Sequence, residues 1–157
     1  GIHIPFGIEK VLINRFNTFV DEKTKPLTFE GPMQVGKVVL LRGGYNAKLV
    51  RNRDNIDIEY EDLRTDRSFT PNLDNFLISA HLIDLVSDVI VLSGLCNDGI
   101  QGVREHFRRG GSVYVQSPET SVARTMPLAI INEGCHSVVS DPESIGKFLQ
   151  EKYLTAL

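Results

Sequence analysis

Residues 89–153 alternate in a way that few folds accept. Short apolar runs at 89–92, Ser112–Gln116 and 136–139 are separated by stretches with helical apolar spacing over Ile100–Arg108 and 126–133, and a further helical stretch, 142–153, closes the series. Gly110-Gly111 and Gly134 stand where helix must give way to strand. The order reads βαβαβα. Short strands that are apolar almost throughout have no wet face, so the pattern predicts a parallel sheet covered by helices on both sides.

The first half of the chain is less regular. Residues 6–20 place Ile8, Val11, Leu12, Phe16 and Phe19 at helical spacings directly after His3-Ile4-Pro5. A polar loop with Gly31, Pro26, Pro32 and Gly36 follows over 21–36, and 37–44 reads as an apolar strand ended by two glycines. Residues 47–52 and 56–61 alternate like the arms of an antiparallel hairpin around Asn52, Asp54 and Asn55. A second polar loop, 66–72, leads to a helix with one buried face over 73–86. The expectation is a single domain over 1–157: a three-layer, Rossmann-like α/β fold whose mainly parallel sheet carries an antiparallel hairpin extension.

At 157 residues, 41% hydrophobic and with a formal charge of −3, the chain has enough apolar material for a real core. The same balance excludes a disordered tract and an overall basic nucleic-acid binder. No apolar run approaches the roughly 18 residues that cross a bilayer, and the N-terminus lacks a signal-peptide pattern, so no membrane insertion and a cytoplasmic location are expected. Cys96 and Cys135 read as free thiols, Cys135 as a small apolar residue. His3, His81, His106 and His136 are scattered, with no HExxH or CxxC, so neither metal nor cofactor is expected. The glycine pairs in RGGYNAK and RRGGSVY form neither a dinucleotide fingerprint nor a phosphate loop.

Chemistry is most readily placed at Ser93-Gly94-Leu95-Cys96-Asn97-Asp98-Gly99, which leaves the carboxyl end of a parallel strand, where open α/β sheets hold their functional crevice. Asp98 has two readings there. It caps the helix that follows, or its carboxylate serves a reaction. Arg104, Arg108 and Arg109 likewise read either as favourable charges at a helix C-terminus or as a docking patch for acidic helices.

The segment VIVLSGLCNDGIQGVREHFRRGGSVYVQSPETSVARTMPLAIINEGCHSVV resembles, without a gap, the C-terminal half of the catalytic domain of chemotaxis protein-glutamate methylesterases of the CheB type. That family's T-G-M-G-x-D-G turn, G-G helix end, Q-D-E-x-S strand end and M-P-x-A helix start are matched through Gly94, Asp98, Gly99, Gly110-Gly111, Gln116, Glu119, Ser121, Met126-Pro127, Ala129 and Gly134. Upstream, Pro71 and Asp74 resemble its P-S-V-D helix start, VGKVVLLRGG its P-G-x-V-Y-I-A-P-G strand, and His3 with Pro5 its H-M-P-x-x-F segment. Ser93, Leu95 and Cys96 depart from the family's Thr, Met and Gly, and Phe69-Thr70 from its His-Arg.

The resemblance implies hydrolysis of glutamyl methyl esters on the cytoplasmic helices of methylated chemoreceptors, with glutamine deamidation as a related activity. It implies a Ser-His-Asp triad with His3 as base and Asp98 as its orienting carboxylate. It also places an oxyanion-stabilising turn at Gly94 and Leu95. The family's nucleophile lies in an S-T-G-G turn, which does not occur in these 157 residues. The expectation is therefore that the serine belongs to sequence outside this chain, as does the family's receiver domain. The alternative is a catalytically inactive relative that keeps the fold as a binding module in signalling. A third idea, Cys96 as nucleophile, has only its nearness to Asp98 behind it.

Overall fold

The computed structural model describes residues 5–19, 32–33, 36–62 and 71–154. The chain divides into two compact units, Gly1–Leu85 and Val86–Leu157.

In the first unit, helix α1 (Glu9–Phe16) follows a turn in which the Ile8 N–H donates to the Pro5 carbonyl. It is shorter than the apolar spacing predicts, and its apolar side is only partly covered: Val11 is 64% and Phe16 40% exposed, while Leu12 and Ile13 are half-buried. The residue that α1 buries is Glu9, whose carboxylate accepts the Gly43 N–H at 2.9 Å. The 37–44 run buries Leu40 and Leu41 but makes only an isolated bridge at Val39 instead of the expected strand.

Strands β1 (Tyr45–Asn52) and β2 (Asn55–Asp62) form the expected hairpin, a two-stranded antiparallel sheet in register from Tyr45↔Asp62 to Asn52↔Asn55. Its two-residue loop places Arg53 at a positive φ of 55°, as tight hairpins require. Ala47 and Leu49 are buried, while Lys48 pairs with Glu59 across the strands at 3.0 Å on an exposed face. Helix α2 (Leu73–Leu82) packs on β1 and is capped by Asn72, whose side chain accepts the Asn75 N–H. It stops before the predicted end because Asp84 turns left-handed at φ 51°. The Ser79 hydroxyl joins the two elements, accepting the Leu49 N–H at 2.8 Å and donating to the Phe76 carbonyl at 2.6 Å.

The second unit carries a parallel sheet in the order β3-β4-β5: β3 (Asp88–Val91), β4 (Ser112–Gln116) and β5 (Val138–Ser140). Helices α3 (Ile100–Arg108), α4 (Thr125–Asn132) and α5 (Pro142–Leu154) all pack on β4. The sheet order follows the chain order, so two crossovers of the same hand place α3 and α4 on one face. On the other face, α5 brings Lys152 to 5.9 Å from the Tyr114 ring. Helices thus cover both sides of β4, and Val113 to Gln116 are buried in succession, with Val113 and Val115 fully so. Val103 of α3 and Ile130 of α4 complete that core at 1% and 0% exposure. The fold is the α/β architecture with parallel sheet and antiparallel hairpin that the alternation predicts.

Candidate active site at the carboxyl ends of β3 and β4

Two loops leave the carboxyl ends of adjacent parallel strands, 92–99 after β3 and 117–124 after β4. They are laced together. The Ser93 hydroxyl accepts the Ala123 N–H at 2.8 Å, the Gly94 N–H donates to the Ala123 carbonyl at 3.0 Å, and the Met126 N–H donates to the Gly94 carbonyl at 3.0 Å. Beneath them lies the buried carboxamide of Gln116, the last residue of β4. Its Oε1 accepts the Ser93 N–H at 2.9 Å, and its Nε2 donates to the Thr120 carbonyl and Oγ1 at 3.0 and 3.2 Å.

The β4–α4 loop also has its own scaffold. The Thr120 N–H and the Ser121 hydroxyl both donate to the Ser117 carbonyl, and the Ser117 hydroxyl donates to the Glu119 carboxylate, which holds that carboxyl below its ordinary range. Ser121 is 7% exposed, so its hydroxyl is an internal strut and not a surface nucleophile.

The turn ends at Gly99, whose φ of 99° places it in the left-handed region that side chains resist. Gly99, not Asp98, is the N-cap residue of α3, and Asp98 is the half-buried residue before it. Leu95 is 78% exposed at the lip of the same turn. Cys96 and Cys135 are free thiols, and Cys135 is buried, as expected. Of the arginine cluster, Arg104 forms two hydrogen bonds with Glu133 at 2.7 and 2.6 Å, and Arg109 pairs with Glu105 at 2.7 Å. Two of the three charges are therefore already engaged, which weakens the docking reading. Among the described residues, no three His, Cys, Asp or Glu side chains come together as a metal would need.

The model of the CheB methylesterase family matches residues 2–149. The chain belongs to the CheB methylesterase family. It is 26% identical over 145 residues to a protein-glutamate methylesterase/protein-glutamine glutaminase of Bacillus licheniformis, covering 91% of this chain and 41% of that one. A protein of the same description from Myxococcus xanthus is 30% identical over 138 residues, covering 85% of this chain and 39% of that one. The crystal structure of the Thermotoga maritima CheB methylesterase catalytic domain superposes with a TM-score of 0.82 at 25% identity, over 95% of this chain and 79% of that one. The chain thus spans about two fifths of the length of these curated relatives.

Of the residues that the CheB resemblance singles out, Gly94, Leu95 and Asp98 share one turn, whereas His3 lies outside the described residues, as do most of the two polar loops expected at 21–36 and 66–72. Within that turn the roles separate. The Gly94 N–H is engaged by the β4–α4 loop and its carbonyl by the first turn of α4, while the Leu95 N–H makes no hydrogen bond among the described residues. Sequence reasoning found Gln116 as a matching position but not its function. The available signal was a carboxamide at the end of an otherwise apolar strand, which a buried position tolerates only with several partners. No helix among the described residues is long and apolar enough to cross a membrane.

Proposed function

We propose that this chain is the hydrolytic part of a chemotaxis protein-glutamate methylesterase, acting on glutamyl methyl esters of methylated chemoreceptor helices and, by the same chemistry, on glutamine side chains. The observation that carries the proposal is the placement of Asp98, half-buried in a turn at the carboxyl end of β3 that is pinned to the neighbouring loop, within a chain of the CheB methylesterase family.

In this reading His3 is the base and Asp98 holds its ring in the productive tautomer and steadies the imidazolium. A serine from sequence beyond these 157 residues attacks the ester carbonyl carbon as His3 takes its proton. The carbonyl oxygen then carries negative charge, to which the Leu95 N–H, unengaged among the described residues, is suited to donate, since a backbone donor serves whatever its side chain. His3 returns the proton to the departing methoxide, releasing methanol, and a water activated by the same histidine hydrolyses the acyl-enzyme to glutamate. With glutamine as substrate, the leaving group is ammonia.

The test is methanol release from a methylated chemoreceptor fragment by the full-length protein, compared with Asp98→Asn. Release that falls by about 10⁴-fold in the variant supports the reading, by analogy with loss of the orienting carboxylate in a triad. A wild-type protein that binds the receptor fragment and releases no methanol favours the second reading, an inactive binding module. The features behind that reading are the lack of an S-T-G-G turn in these residues and the Leu95-Cys96 departure in the turn.

A further inference from the structure

We propose that Gln116 is the positioning residue of the candidate site: its carboxamide sets the turn bearing Leu95 and Asp98 against the β4–α4 loop. This rests on the hydrolase reading above.

Four observations converge. Gln116 is 7% exposed and terminates β4, the most deeply buried strand of its sheet, so its base does not move with the loops. Its Oε1 accepts from the turn, at the Ser93 N–H, and its Nε2 donates to the other loop, at the Thr120 carbonyl and hydroxyl. Thr120 Oγ1 donates in turn to the Ser117 carbonyl, closing the loop on the strand end from which Gln116 itself projects. The remaining links of the turn, from Ser93 and Gly94 to Ala123 of the loop and Met126 of α4, begin at the residue that Gln116 holds.

The chemistry permits only one orientation of the amide. Turning it over would set Nε2 hydrogens against the Ser93 N–H and Oε1 against the Thr120 carbonyl, two repulsive contacts in place of two hydrogen bonds. No other natural side chain of this length offers an acceptor on one arm and a permanent donor on the other. Glutamate keeps the acceptor for Ser93 and, when ionised, loses the donor for Thr120. Leucine fills the volume and keeps neither. Gln116 does not touch the reacting atoms in this account. It acts through the turn, where a misplacement of about 1 Å lowers turnover on the order of 100-fold.

The experiment uses the full-length protein and reads methanol release together with amide hydrogen exchange. For Gln116→Leu, kcat falls about 100-fold with KM within about 2-fold, and the Ser93 amide exchanges faster while the Val113 and Val115 amides stay protected. For Gln116→Glu, the ratio of variant to wild-type rate rises as pH falls, because only the protonated carboxyl can donate to Thr120. A loss that appears equally in KM, or a Gln116→Glu ratio flat with pH, overturns the proposal. So does a Ser93 amide that exchanges at the wild-type rate in Gln116→Leu. A wild type that releases no methanol sinks the hydrolase reading and the catalytic consequence with it. The exchange of Ser93 then still decides whether Gln116 holds the turn.

Discussion

Gly111 lies directly against the buried ring of His106: a Cβ built on Gly111 would stand 2.2 Å from Nε2 and 2.4 Å from Cε1. The two glycines that end α3 therefore serve different purposes. Gly110 reverses the chain at φ 84°, with open space where a side chain would go, and Gly111 leaves room for the imidazole. Gly111→Ala should destabilise the protein by about 1–3 kcal/mol through overpacking against a ring that has nowhere to retreat. Gly110→Ala should cost about 1–2 kcal/mol, from backbone strain alone. Urea unfolding of both variants, with His106→Ala added to each, separates them: the added cavity relieves Gly111→Ala and leaves the Gly110→Ala cost unchanged.

Ser79 links α2 to the hairpin through one hydroxyl that both accepts from Leu49 and donates to Phe76. Ser79→Ala leaves the Leu49 N–H buried and unsatisfied, at about 1–3 kcal/mol. Amide exchange at Leu49 should accelerate in the variant. An unchanged unfolding midpoint would show that water reaches the β1 edge.

Asp88 opens β3 and receives Lys152 Nζ at 2.8 and 2.9 Å and the Tyr153 hydroxyl at 2.6 Å, both from α5. Burial alone would raise the Asp88 carboxyl, but the hydrogen bonds from Lys152 and Tyr153 outweigh it and hold it below its usual 3.8. The bond to Asp88 raises Lys152 and Tyr153 above their usual 10.5 and 10.0. A depressed acid contributes stability above its unfolded pKa and loses it as pH falls through the folded value. Groups with raised pKa contribute below their unfolded values and lose it as pH rises through the folded ones. The clamp is thus whole between about pH 4 and pH 10, and Asp88→Asn should flatten both shoulders of a plot of Tm against pH. Identical profiles for variant and wild type would show that the clamp contributes nothing.

The second unit was largely legible in the sequence because its signals are local. Apolar runs bounded by Gly110-Gly111 and Gly134 give α3 and β4 their observed limits, and α4 differs by one residue. Strand β5 starts two residues later than its apolar run, since its ladder with β4 opens at Tyr114↔Val138. The first unit was less legible. The spacing in 6–20 shows which residues share a face of α1, but not whether anything covers that face. The helix instead buries Glu9, whose partner Gly43 is 34 residues away. The same limit applies to the site. Asp98 could be placed because strand, turn and glycine are adjacent in sequence. The Gln116 clamp could not, because it closes on Ser93, 23 residues before it.

In the proposed hydrolase His3 and Asp98 act as one catalytic unit. Methanol release from a methylated chemoreceptor fragment, measured for full-length wild type, His3→Ala, Asp98→Ala and the double variant, decides whether they do. Residues that act as a unit are non-additive. Each single change should lower kcat by about 10⁴-fold or more, and the double variant should be no slower than the slower single one. Wild-type turnover in Asp98→Ala, or losses that multiply in the double variant, would contradict the pairing.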